Sequence, residues 1–592
     1  MEAGLARTYA RRGLWLALAF TLLLRLSFLN QPVQGDDHVY ITEAAHAQIE
    51  PLHPANVTYV FRGDPVDLRG HTHPPLNAWP LALLIAVFGE VKEVPFHAAY
   101  IAFSLIAVWS MWSLAKRFSP HPVWATLLFC AVPVFVVNGN SFEPDVPFLA
   151  FWMASIALYV SGRTAWAVVA MVLCSLEAYQ AVFLVPILLM WKPRDLRRPV
   201  KALAPLTPVF VLLGVQIFER LSTGALPARV LTGYFSRYGF QALAHKFRSA
   251  LALAIHFCFI VCPILLPGAA ILAWRDRRSR DTQFLLAWIA LFFAGAVIVF
   301  FAGSARYLLP IAAPVALLAS RLRPRWLALG FALQLALSFG LALENYDHWS
   351  AYRSLAPTIV RLAGGHRIWV DGEWGLRYYL EQAGALPLTN TQPLRPTDVV
   401  VSSALGHSVS VTAPATPILQ VDVRSAIPLR IIGLDTPSGF SDASAGLWPF
   451  GVSNGVIDRV TASVIGERHV TLEFLPIDAP EAREQIVSGI YPDHWMSGTA
   501  IVALKTPSEP RKLKLAFYLP KAFPARRVAL KLDGHEIAAQ TYGEEGAYTL
   551  ESAPVHPESA TATVEISVTP TFRAPGDARD LGAVVTSIGF VP

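Results

Sequence analysis

Charge is the scarcest commodity in this sequence. Only 15% of the 592 residues are Asp, Glu, Lys or Arg, while 54% are apolar. Water-soluble domains carry roughly 25% charged residues, so one large soluble enzyme is excluded. Cysteine is nearly absent as well. Cys130, Cys174, Cys258 and Cys262 all lie inside apolar blocks, which excludes a disulfide framework and a zinc site with ligand spacing. Internal repeats and low-complexity segments are lacking. The basic residues form no single cluster, so the net charge of +6 does not describe a nucleic-acid binder.

What is present is a division. Up to residue 344 the apolar residues come in long blocks; beyond it they are short and alternate with charges. The spacing predicts a membrane domain over 1–344, a small outer α/β domain over 345–455 and an outer β-sandwich over 456–592. A span needs about 20 apolar residues. About eleven fit: 13–30, 97–115, 122–138, 146–162, 164–177, 180–191, 203–219, 250–273, 283–302, 307–320 and 326–343. The connections alternate in charge. One set, with the N-terminus, holds 18 Lys and Arg; the longer set holds nine. The positive-inside rule places the N-terminus in the cytoplasm and the C-terminal part outside, in a plasma (inner) membrane. The block 76–90 is too short to span. It reads as an interfacial helix, which makes 31–96 one outer loop hugging the membrane.

Chemistry-bearing residues gather in the outer connections. The first carries Gln34-Gly35-Asp36-Asp37-His38-Val39-Tyr40. Carboxylates at a membrane boundary face a solvation cost; they fit a general base or a divalent cation site, and equally a helix cap. The same loop holds His71 and, just before the interfacial helix, His73, a donor suited to an anionic headgroup. The second connection, Asn138 to Asp145, places Glu143 and Asp145 at the same depth. Near the fifth, Arg306 and Tyr307 suit a phosphate by charge-assisted hydrogen bonds, or interfacial anchoring. The fourth adds Arg229, Arg237, His245, Lys246 and Arg248, charge that draws an anionic lipid headgroup. A carboxylate base beside a cationic clamp suits transfer of a group away from a lipid phosphate.

The order acidic pair plus Tyr, His-Pro-Pro-Leu, loop-end Asp and Arg-Tyr-Leu-Leu-Pro resembles the membrane glycosyltransferases of the GT-C superfamily over residues 13–344. The nearest are bacterial relatives of the protein O-mannosyltransferases and the lipid A aminoarabinose transferases. The resemblance implies a polyprenyl-phosphate sugar as donor, used at the outer face, with a glycan, lipid or protein acceptor in contact with membrane lipid. It gives catalytic roles to Asp36, Asp37 and Asp145, and donor-phosphate roles to His73, Arg306, Tyr307 and Arg237. Asp37 departs from the family's Asp-Glu pair and Pro144 from its usual Met-Asp. A metal stays open, with Asp36 and Asp145 as its ligands if one is used. Ile368 to Gly375 with Tyr378-Tyr379-Leu380 looks like the outer domain of some of these relatives. Ser488 to Asp493 and Asp577 to Gly582 look like sandwich modules of glycan proteins. Two other readings fit the composition: a transporter or flippase of lipid-linked glycans, and a non-catalytic envelope protein whose sandwich binds saccharide.

Overall fold

The computed structural model describes every residue except 1, 71, 72, 192–202, 230–240, 301, 521–524, 575, 576 and 578. Among the described residues four helices are long and apolar enough to cross a bilayer: Glu93–Phe118, Ala204–Ser222, Arg280–Val299 and Pro324–Ala363. Shorter apolar helices such as Asp145–Val160 and Thr164–Glu177 pack among them. Two expected spans are broken. The block 122–138 is two helices, Pro122–Cys130 and Pro133–Asn140, bent by 61°. The block 250–273 ends its first helix at Phe257 and resumes at Pro263.

A break inside an apolar layer frees backbone groups that must find partners. Here side chains supply them. Arg25, buried in the helix Glu2–Ser27, donates through Nη2 to the Phe135 carbonyl at 2.6 Å and through Nε to Ser104 at 2.9 Å. Ser338 donates to the Ala131 carbonyl at 2.7 Å. Gln334 bridges both breaks: its Oε1 accepts from Cys262 N at 2.8 Å, and its Nε2 donates to the Leu128 carbonyl at 2.9 Å. Gly139 is required where Arg25 passes, because a Cβ there would collide with the guanidinium.

Three connections meet at one end of the helical domain. Arg117 pairs with Asp281 at 2.9 Å, Arg321 with Asp276 at 3.2 Å, and Ser119 lies 2.6 Å from Ser320. The 26-residue helix Glu93–Phe118 separates that end from the other by ~39 Å at 1.5 Å per residue. At its first turn Glu93 binds Arg353 and Tyr379, so the C-terminal part sits at the opposite end.

The long helix Pro324–Ala363 carries the chain past the expected boundary at 344 and packs under a mixed five-stranded sheet. The strand order is Leu386–Pro387, Ile368–Asp371, Val399–Ser403, Asp458–Ile465, Ala415–Val423, with the first three parallel. The strand Asp458–Ile465 was expected in the sandwich; it pairs instead with Val399–Ser403. Alternation marks a strand but not the sheet it joins. The rest of the C-terminal part is a sandwich of two antiparallel sheets, five strands and four, closed over one apolar core.

Between residues 31 and 96 lie the helix Asp37–His46, a hairpin of Thr58–Phe61 with Asp64–Asp67, and the helix Ala78–Phe88.

Candidate active site

Gly35 begins the site. At φ +45° its backbone turns so that the next N–H, that of Asp36, donates to Glu143 Oε1 at 3.0 Å; a Cβ on Gly35 would sit 2.5 Å from that same oxygen. Asp36 precedes the helix Asp37–His46, yet its side chain caps nothing. It points toward Arg306, with Oδ2 3.7 Å from Nη2, and is 40% exposed. Arg306 Nη1 is paired with Glu143 Oε2 and stands 3.5 Å from Asp145 Oδ2. Asn138 Nδ2 holds the same Asp145 oxygen at 3.1 Å. Three carboxylates from two loops therefore surround one guanidinium from a third. Arg306 Nε is buried with no hydrogen-bond partner among the described residues.

Asp37 is placed differently from its neighbour. It is fully buried, and both its oxygens are taken: Oδ1 accepts from Ser141 Oγ and Phe142 N, each at 2.7 Å, and Oδ2 accepts from Gln34 N at 3.0 Å. It clasps the first outer loop to the second. Burial pushes its carboxyl up to about 7 against those three donors.

His73 donates from Nδ1 to the Glu177 carbonyl at 3.3 Å, and its ring lies edge-on to Tyr40, 5.8 Å between centres. It borders the cluster through Tyr40. Tyr307 stacks on Phe300 at 4.0 Å, which seats the 3₁₀ turn Ala305–Ile311. Ser304 caps that turn, accepting from Arg306 N at 3.2 Å and donating to the Phe440 carbonyl of the C-terminal part at 2.8 Å. Of the fourth-loop cations, Lys246 donates to the Phe300 carbonyl at 2.6 Å, and Arg248 to the Ala443 carbonyl at 2.6 Å. They fasten backbone beside the site. Arg237 and His71 lie outside the described residues.

Among the described residues no group of three or more His, Cys, Asp or Glu side chains is arranged to hold a metal ion. Asp36 and Asp145 flank the guanidinium, so a cation bridging them would have to displace Arg306.

Two functional features escaped the sequence reading. Glu143, set by the sequence at the depth of Asp36 but given no role, joins Asp36 to Arg306. The second is a buried ionic chain from the C-terminal part. On the helix Trp374–Gln382, Arg377 binds Glu381 Oε1 at 2.6 Å and Glu373 Oε2 at 3.3 Å. Glu381 Oε2 meets His38 Nε2 at 3.1 Å, next to the acidic pair. Glu373 also accepts from Arg62 N at the hairpin turn, at 2.7 Å. The spacing of Glu373, Arg377 and Glu381, four residues each, was the available signal.

Residues 72–218 match the family described as dolichyl-phosphate-mannose-protein mannosyltransferase. The matched segment contains His73, Glu143 and Asp145, and it bears out the resemblance to GT-C membrane glycosyltransferases. Among solved structures the chain is similar to ArnT from Cupriavidus metallidurans bound to undecaprenyl phosphate, at 15% identity over 76% of this chain and 97% of that one, TM-score 0.47. It is similar to the arabinofuranosyltransferase AftD from Mycobacteria, at 12% identity over 98% of this chain and 58% of that one, TM-score 0.40. The arabinosyltransferase EmbB from Mycobacterium smegmatis is matched at 11% identity over 98% and 64%, TM-score 0.36. No curated protein matches the chain. All three TM-scores fall below 0.5.

Proposed function

We propose that this protein is a membrane glycosyltransferase that moves a sugar from a polyprenyl-phosphate carrier to an acceptor hydroxyl at the outer face of the plasma (inner) membrane. The observation that carries the reading is the approach of an exposed carboxylate, Asp36, to within 3.7 Å of Arg306, about 270 residues away in sequence. The family match supports it, because that family is described by a lipid-phosphate sugar donor.

In the proposed reaction Asp36 accepts the proton of the acceptor hydroxyl, whose oxygen attacks the anomeric carbon. The bond from that carbon to the phosphate oxygen breaks, and the carrier leaves as a polyprenyl phosphate. Arg306 neutralises the charge that develops on it. Glu143 and Asp145 hold Nη1, which leaves the Nη2 edge to face the phosphate. Asp37 positions Asp36 by locking the two loops together. His73 stands at the Tyr40 side as a second donor to the phosphate, and Tyr307 supports the Arg306 turn. Arg237 belongs to the same proposed phosphate set. The alternating basic connections support an outer site: Arg117 and Arg321 lie at the end of the helical domain opposite the outer domain.

The test is transfer by membranes supplied with radiolabelled polyprenyl-phosphate sugars. Asp36→Asn should lower turnover by roughly 10²–10⁴-fold, the usual worth of a general base, with the protein still folded. Full activity in that variant removes Asp36 as the base.

A further inference from the structure

The mixed sheet of the C-terminal part has one face packed against helices; on the other, Leu388, Leu394 and Ala413 cover Trp369 and Val400 and leave only part of the face accessible. Parallel strands are ordinarily covered on both faces. Beside that cover lies a groove of about 300 Å³, at the lower end of the ~300–1,000 Å³ range of ligand sites. It lies at the carboxyl ends of the parallel strands Ile368–Asp371 and Val399–Ser403, where open α/β sheets bind ligands.

Its floor is built from registered residues. Asp371, Ser402 and Thr461 face one another across three strands, and Ser463 stands opposite Val400 in the next row. Residues in register share a face. The hydroxyls of Ser402, Thr461 and Ser463 make no hydrogen bond to another described residue. Asp371 Oδ1 accepts from Ser408 N and Val409 N at 3.0 and 3.1 Å, which fixes the loop that walls the groove; Oδ2 is not used by any described residue. The cation at the rim, Arg459, is paired at 2.7 Å with Asp422, a carboxylate it shares with Arg424.

Behind that loop lies a narrow crevice with about 20 Å³ of free space, between the sheet domain and the sandwich. The two spaces share Val409 and Val411 as a common wall. The crevice is lined by Asn390, Ser410, Thr412 and Tyr491, and Arg579 backs the Tyr491 ring at 4.5 Å.

We propose that this groove is a short binding track for one or two rings of a neutral oligosaccharide. Rows of uncommitted hydroxyls and a carboxylate oxygen match sugar hydroxyls, and the valines between them match sugar C–H faces. The unused Asp371 oxygen at the floor disfavours an anionic sugar. A groove of this size suits one or two rings. The track takes the acceptor glycan of the proposed transfer and rests on that reading for its role, though not for the binding itself. It differs from the sandwich site anticipated from the sequence, because it lies on the mixed sheet.

The experiment uses the full chain in nanodiscs and linear pentasaccharides of mannose, glucose, galactose and arabinose, with binding measured by calorimetry. At least one should bind, and Thr461→Trp and Ser463→Trp, each filling the floor, should weaken it tenfold or more. Both side chains are half-exposed, and an unchanged melting temperature certifies the fold; if one variant melts early, the other decides. Wild-type affinity in a folded variant, or no binding by any of the four sugars to the native chain, overturns the track. Release of polyprenyl phosphate from a labelled donor is followed in the same samples. Its absence beside intact sugar binding refutes the transferase reading and leaves the track standing.

Discussion

Arg377 offers the sharpest test of how the C-terminal part governs the site. Its side chain is 4% exposed and is held by Glu373, Glu381 and the Val60 carbonyl, with the Tyr59 ring 4.2 Å from its guanidinium carbon. Replacing it with Leu keeps the bulk and removes the charge. Two carboxylates then lose their shared partner. Removing one member of a buried ion pair costs about 3–5 kcal/mol. The lower end applies here, because Glu381 keeps His38 and is 21% exposed, and Glu373 keeps Arg62 N. Arg377→Leu should thus lose about 3 kcal/mol, read as faster thermal inactivation in nanodiscs. The carboxylates are the source of that cost, so adding Glu373→Gln and Glu381→Gln to Arg377→Leu should restore most of it. Because Glu381 also positions His38 beside the acidic pair, kcat should fall in the single variant while donor KM changes little. A loss below 1 kcal/mol, or a triple variant no more stable than the single, refutes the assignment of this chain as the fastening between C-terminal part and site.

Other outcomes follow from the same geometry. Burial pushes the Glu373 carboxyl up to about 7, against the pull of Arg377 and the Arg62 N–H. The folded state then holds that proton more tightly than the unfolded chain, so stability should fall as pH rises from about 4.5 to about 7 and level above it, by up to about 3 kcal/mol; Glu373→Gln should flatten that slope in melting temperature against pH, and an unchanged slope assigns it elsewhere. Burial alone would raise Glu381, but His38 and Arg377 hold it below the usual carboxylate range, so its own contribution is lost only at lower pH and does not overlap this window. Arg306→Lys replaces a fork with a point charge that cannot reach three carboxylates and a phosphate together; initial rates against donor concentration should show a loss of about 10²–10³ in kcat/KM, and a loss under threefold contradicts the clamp. Asp37→Asn sets an amide N–H against one of three donors and should cost about 1–3 kcal/mol, seen as a lower melting temperature; wild-type melting with abolished transfer gives Asp37 a role in the chemistry itself.

The loops of Asp36, Asp145 and Arg306 were legible because each adjoins the end of an apolar block, and the fold brings the three side chains together. Glu143 was hidden by its position, since an acidic residue before Pro144 also reads as a helix start. His38 stood in the quoted motif without a role, because its partner, Glu381, lies more than 300 residues away on another domain. The bent and broken helices at 131–132 and 258–262 left no mark in hydropathy. They persist because Arg25, Gln334 and Ser338 satisfy the freed backbone, and those side chains are far apart in sequence. The strand Asp458–Ile465 alternates as a sandwich strand does; only its pairing partner tells the sheets apart.

In the resting site the Arg306 fork is engaged by carboxylates alone, and that bears on how the proposed reaction starts. Carboxylates outnumber the guanidinium three to one, so a donor phosphate gains Arg306 only by displacing one of them. Glu143 is buried and anchored through the Asp36 N–H; Asp145 is held by Asn138. Asp36 is the most exposed and stands farthest from Arg306, at 3.7 Å, so it is the cheapest to release. A carboxylate freed from its cation is a stronger base. In the proposed mechanism arrival of the phosphate and activation of Asp36 are then one event, and the base is unmasked only when there is a donor for the acceptor to attack.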